Sequence, residues 1–274
     1  MSNLSTKHHF IPEYYQKGFR SDNGKLYCYT KKYGGIKERA PAQILYSLDL
    51  HTVILGKKKT LAIEEFYSQL EGQFAQYRDM IIENLEKPHI ISNIQNDANF
   101  IKISKFLVAT QFWRTPCKTQ LAKEYAPKLL ELYDDATLEI KEMLGHDRKF
   151  IKFIAKRANK DSAMKVVQFI LLPLISFDMS DKAPNFHFYL APPGQTFCSS
   201  DRPVIYDSYE NLFSFKSFCF PFCKQLLLLG HEKQFQSIPV EAFNNLISSK
   251  AAQVVISDAK DLLEKLKKID QSSI

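Results

Sequence analysis

The spacing of apolar residues predicts an α+β fold for this chain of 274 residues. Three observations carry that reading. A short, mixed opening runs to about residue 60, a helical middle spans 61–175, and the last third, 176–274, changes to strand-like runs. A hydrophobic fraction of 45% with 13% aromatic residues supplies a bulky core. No internal repeat or low-complexity linker separates the zones, so a single domain over 1–274 is expected. The helical middle should then pack against an antiparallel or mixed sheet built from the N-terminal segment and the C-terminal third.

Each zone has its own signals. Lys25 to Thr30 is β-prone and follows the turn sequence Ser21-Asp22-Asn23-Gly24, and Gly34-Gly35 breaks the chain before a second extended piece. From Ala62 to Glu86, Ile63, Phe66, Tyr67, Leu70, Phe74, Tyr77, Ile81 and Leu85 form a helical stripe that Pro88 should end. A second helix is expected over Asp97 to Trp113, stopped before Pro116, then others over Thr119–Leu144, Asp147–Ala158 and Ser162–Leu172. Strands are expected at Asn185–Leu190, Gln195–Cys198, Ser217–Pro221, Gln225–Leu229 and Gln253–Ile256. Helices should cover Ile238–Ser249 and Ala259–Lys268, the last begun by Ser257-Asp258.

Composition narrows the function classes. A net charge of +7 with pI near 9.0 suits an anionic partner without reaching the basicity of a nucleic-acid coat. The five cysteines form no CxxC pair, which argues against a structural zinc site, and their odd number without an apolar N-terminal region reads as reduced thiols in a cytoplasmic protein. The most apolar stretches, Val166–Phe177 and Phe218–Leu229, are broken by Gln168, Pro173, Pro221, Lys224 and Gln225, so no membrane span is expected. Walker A, GxGxxG and GxSxG patterns are missing, which argues against P-loop, Rossmann and nucleophile-elbow chemistry.

The polar motifs lie far apart. Lys7-His8-His9-Phe10-Ile11-Pro12 opens the chain, and its adjacent histidines face opposite sides in extended backbone, so one of them enters a given site. Glu64, Glu71 and Arg78, spaced by sevens, form a column on the flank of the long helix's apolar stripe. Half-desolvated carboxylates there suit acid–base work or metal binding, or simply guard the stripe's edge. Arg114 continues the inner row of Phe100, Ile103, Leu107 and Gln111, and either pairs with Glu64 or Glu71 or binds an anionic ligand. Ser200-Asp201 precedes Arg202-Pro203, and Asp201 either caps local amides or orients a histidine or holds a metal. Lys149, Lys152, Lys156 and Lys160 fall on one helical face, as a phosphate-binding ridge or a solvated surface.

Taken together, Lys7 to Pro12 with Tyr14, Tyr15 and Phe19, Ile63-Glu64 with Glu71, Arg114-Thr115-Pro116, Ser199 to Val204, Phe220-Pro221 and Asn244 or Asn245 resemble the mainly bacterial family known as domain of unknown function 4238. The likeness covers nearly the whole chain, with Arg202 where a small polar residue is common and Phe10 where Tyr often stands. The resemblance implies candidate positions and no reaction.

The functional expectation is a composite polar cleft. His8 or His9, Glu64, Glu71 and Asp201 would do the chemistry, with Arg114, Ser200 and the lysines Lys149, Lys152, Lys156 and Lys160 holding the ligand. The leading class is a phosphate-ligand enzyme, with metal-assisted phosphodiester hydrolysis as its nuclease-like form and a divalent metal as the cofactor to test. The competing class is a non-catalytic binding or sensing module in phage defence or mobile-element biology. Nucleic acid or a small anion is the expected partner, and oligomeric state is left open.

Overall fold

The computed structural model describes residues 6–175, 186–231 and 238–272, and it is α+β. The opening zone holds β1 (Lys7–His9), α1 (Glu13–Lys17), β2 (Leu26–Thr30), β3 (Gly35–Arg39), β4 (Tyr46–Leu48), β5 (Val53–Leu55) and β6 (Lys58–Thr60). The helical zone follows as α2 (Ala62–Glu83), α3 (Pro88–Asn96), α4 (Ala98–Arg114), α5 (Thr119–Tyr125), α6 (Leu129–Asp135), α7 (Leu138–Met143), α8 (Arg148–Ala155) and α9 (Asp161–Ile175). The last zone carries β7 (Phe186–Leu190), β8 (Ser199–Ser200), β9 (Ile205–Tyr206), α10 (Tyr209–Phe213), β10 (Phe218–Cys223), β11 (Leu226–Gly230), α11 (Val240–Lys250), β12 (Val254–Ser257) and α12 (Lys260–Ser272).

Two four-stranded antiparallel sheets organise these elements, where the sequence suggested one. The first, in the order β3-β2-β12-β8, joins the N-terminal hairpin to the C-terminal third. Gly34 turns that hairpin at φ +64°, a left-handed conformation glycine adopts at no steric cost. A core of Tyr29, Phe197, Phe243, Ile247, Val255, Leu263 and Leu266 packs this sheet against α11 and α12. The second sheet, β7-β11-β10-β9, is buried differently. Every residue of β10 and β11 is buried, which is why those strands read as unbroken apolar runs. Phe220, Leu226 and Leu228 join the larger core with Phe100, Phe112 and Trp113 of α4.

Several boundaries differ for local reasons. Pro88 does not merely end α2; it occupies the first turn of α3, where a missing amide costs nothing. The expected Thr119–Leu144 helix breaks into three, with Pro127 inside the turn after α5 and Thr137 accepting the Ile140 amide to start α7. The expected Gln195–Cys198 strand is irregular, and pairing begins at Ser199. There Asn244 of α11 replaces the ladder, its Oδ1 accepting the Cys198 amide at 2.8 Å and its Nδ2 donating to Thr196 O at 2.9 Å. Asn185, the first residue of one expected strand, lies outside the described residues. Among the described residues, no helix is long and apolar enough to cross a membrane.

Candidate functional site

The polar cluster forms where four segments meet: β1 with its exit, the Asp49–Thr52 loop, and the facing sides of α2 and α4. Thr115 adopts extended backbone (ψ 137°) ahead of Pro116, so α4 stops with Arg114 in its last turn. The inner row of α4 then grips the opening motif. Arg114 Nε donates to His9 O at 2.7 Å, and Gln111 Nε2 donates to Phe10 O at 2.9 Å. The carbonyls of the last residue of β1 and of the residue after it are thereby satisfied.

The column on α2 faces the same region. Arg78 NH1 bonds Tyr14 O, Glu71 Oε1 accepts from Arg114 NH1 at 2.6 Å, and Glu64 Oε2 lies 2.5 Å from His51 Nδ1. The Arg114 guanidinium, with a side chain 2% exposed, also lies 4.8 Å over the Tyr67 ring. Burial pushes the Glu71 pKa up, against the charge and hydrogen bond of Arg114. Glu64 occupies the first turn of its helix, where the dipole favours a carboxylate. Its burial raises the pKa, but the hydrogen bond from His51 and the nearby charge of Arg114 hold the carboxyl below its ordinary value.

His51 is the residue that the sequence reading passed over. Lys165 of α9 fixes its loop, donating to Asp49 O at 2.9 Å and Thr52 O at 3.3 Å. A carboxylate can only accept, so His51 Nδ1–H donates to Glu64 and Nε2 carries the lone pair. That Nε2 is buried with no hydrogen-bond partner among the described residues. The ring stacks on His8 at 5.6 Å and meets Tyr67 edge-on at 4.9 Å. Burial, the largest influence, pulls the His51 pKa down to about 4, so the imidazole is neutral near pH 7. His51, Tyr67, Arg114 and Lys165 line one cavity of about 90 Å³, room for several waters or the phosphate end of a substrate.

His8 is wholly buried, and its Nδ1 accepts the His51 amide at 2.9 Å. His9 turns the other way, towards Glu13 at 3.7 Å, with burial lowering its pKa. His8, His51 and Glu64 each offer one potential metal-ligand atom within 4.8 Å of the others. Two of those groups already share a proton, and the Nδ1 lone pair of His8 receives an amide.

The family described as a protein of unknown function (DUF4238) matches residues 7–261. The chain belongs to that family. No curated protein and no solved structure matches it. In this DUF4238 member, His8, Glu64, Glu71 and Arg114 come together around His51, and His9 lends its carbonyl to Arg114.

Other sequence-derived candidates go elsewhere, and the expected single cleft divides. Asp201 does not line the His51 cavity; its carboxylate accepts the Ala252 amide at 2.9 Å and the Gln253 amide at 2.8 Å, capping the turn between α11 and β12. Ser200 is fully buried and its Oγ accepts the Arg202 amide at 3.1 Å. Ser199 Oγ lies 2.7 Å from Tyr15 OH, which donates to Pro221 O at 2.6 Å. The second motif therefore ties the two sheets and the N-terminal segment together. Lys149, Lys152, Lys156 and Lys160 are exposed, but α8 ends at Ala155, so Lys156 caps it and Lys160 lies beyond; the continuous four-lysine helical face is not formed. None of the four lines the His51 cavity.

Proposed function

We propose that this protein hydrolyses a small phosphate ester in the His51 cavity. The observation that carries the reading is the buried Nε2 of His51, without a partner among the described residues; Glu64 holds the Nδ1–H of the same ring, and His51 and Arg114 line one cavity. In this reading Nε2 takes a proton from the attacking water, while Glu64 keeps the ring in the right tautomer and stabilises the imidazolium that forms. Arg114 balances charge on the phosphate, and the Glu71 and His9 contacts hold its guanidinium in place. A pKa near 4 makes the resting imidazole a weak base. An arriving phosphate anion raises it, since an opposite charge at close range favours the protonated ring. A cavity of about 90 Å³ admits one phosphate and not a duplex backbone, and this favours a small ester over nucleic acid.

The test is hydrolysis of p-nitrophenyl phosphate and a panel of natural phosphomonoesters by purified protein. His51→Asn should lower kcat by about 10²–10⁴, the range for a general base, with an unchanged melting curve. No hydrolysis by the wild type, or equal rates for the two proteins, removes the reading. A second reading, in which a divalent metal replaces the proton shared by His51 and Glu64 and recruits His8, is favoured by the 4.8 Å clustering of their ligand atoms. Loss of activity in EDTA with recovery on adding zinc or manganese would select it.

A further inference from the structure

A second cavity, of about 350 Å³, lies on the other side of the α4 terminus, between the Pro116–Lys118 turn and the β9–α10 segment. Its size falls in the range of small-molecule sites, which is roughly 300–1,000 Å³. Among the described residues, three cationic side chains line it, Lys118, Arg202 and Lys250, and no Asp or Glu does. None of the three takes part in a salt bridge among the described residues. The nearby Asp201 carboxylate is occupied by the Ala252 and Gln253 amides. The rest of the wall is aromatic. Tyr206 and Tyr209 lie 5.3 Å apart between centroids, and Tyr209 is 39% exposed.

Lys118 is the unusual member. Its ammonium lies 4.1 Å over the Phe112 ring and 4.8 Å over the Tyr206 ring, and donates to Tyr206 OH at 2.8 Å. A half-buried cation held by rings and a phenol, with two further cations on the same cavity, is a charge arrangement an anion completes.

We propose that this cavity binds an aromatic phosphate of nucleoside-monophosphate size, its ring against Tyr206 and Tyr209 and its phosphate among Lys118, Arg202 and Lys250. Stacking on an aromatic side chain tolerates any base, because every base offers a π-face. A free nucleotide and the 5′-phosphorylated end of a strand present the same chemistry.

The charge state of Lys118 gives the binding a signature. Burial, reinforced by Arg202 and opposed by Cys117, lowers its pKa to about 8. A bound phosphate raises it, so binding near pH 8 takes up protons. If the bound pKa lies well above 9, affinity falls about tenfold from pH 7 to pH 9, the change expected for one proton with a free pKa near 8.

Isothermal titration of the full chain with AMP, adenosine and inorganic phosphate tests the proposal. AMP should bind more tightly than either fragment and lose about tenfold in affinity between pH 7 and 9, with proton uptake shown by buffers of different ionisation enthalpy. Arg202→Gln and Lys118→Met should each weaken AMP at least tenfold, and Arg202 is exposed, so its variant folds as the wild type. Tighter binding of a 5′-phosphorylated oligonucleotide than of AMP, lost when the phosphate is removed, would identify a strand end as the source; the reverse order identifies the free nucleotide. No AMP binding at pH 7, unchanged affinity in both variants, or phosphate binding as tightly as AMP overturns the proposal.

Discussion

Replacing Arg114 by Met keeps the length of the side chain and removes its charge and its donors. The wild-type side chain is 2% exposed and makes a 2.6 Å bond to Glu71, a 2.7 Å bond to His9 O and a contact over Tyr67 at 4.8 Å. Removing one partner of a buried pair generally costs about 3–5 kcal/mol, because the other charge is left without compensation. Glu71 retains 26% side-chain exposure, so water recovers part of its solvation and the low end, about 3 kcal/mol, applies. Urea denaturation at pH 7 measures the loss. Glu71→Gln in the Arg114→Met background should restore part of it, since an amide buried there costs less than a carboxylate. The penalty should also shrink as the pH falls, because burial already raises the Glu71 pKa and protonation removes the stranded charge. A loss below about 1 kcal/mol, the size of an exposed pair, would refute the argument that this ion pair clamps α2 to α4.

Two further outcomes follow from the same geometry. His51 titrates near 6.5 in the unfolded chain and near 4 in the fold, so the unfolded state alone binds that proton in between. Stability should therefore fall as the pH drops from about 6.5 to 4, by up to roughly 3 kcal/mol, and His51→Asn should flatten that limb of the denaturation profile. Asp201→Ala removes the acceptor of two amides and should cost about 1–3 kcal/mol by urea denaturation while leaving ester hydrolysis at the wild-type rate. A drop in kcat with unchanged stability would return Asp201 to the active site.

The fold was legible where one signal governed one element. The Ala62 stripe, the Gly34-Gly35 turn and the apolar run before Gly230 each became the expected element within a few residues. Errors arose where side chains stood in for backbone ladders. Asn244 bonds the chain at Thr196 and Cys198 from a helix some 46 residues on, and nothing local to 195–198 announces that. The choice of two sheets over one is likewise decided by distant pairing, as when β12 takes β2 and β8 as neighbours.

The site was half legible, for a related reason. Periodicity placed Glu64, Glu71 and Arg78 in one column, and all three bond residues outside α2 or lie against them. The Gln111–Arg114 row was equally readable, and it seizes consecutive carbonyls of the opening motif. His51 carried no such pattern. It sits between short strands, one residue after Leu50, and its meaning comes from contacts with His8, Glu64 and the Lys165-fixed loop. Asp201 poses the opposite problem: its carboxylate caps a turn some fifty residues on, and a turn-capping carboxylate and a catalytic one look alike in sequence. What separates them is the count of satisfied lone pairs. Asp201 has both carboxylate oxygens bound to amides of the turn between α11 and β12, whereas His51 keeps one ring nitrogen held and the other without a partner among the described residues. A buried group left in that state costs stability, and that cost marks the His51 nitrogen as the atom to test first.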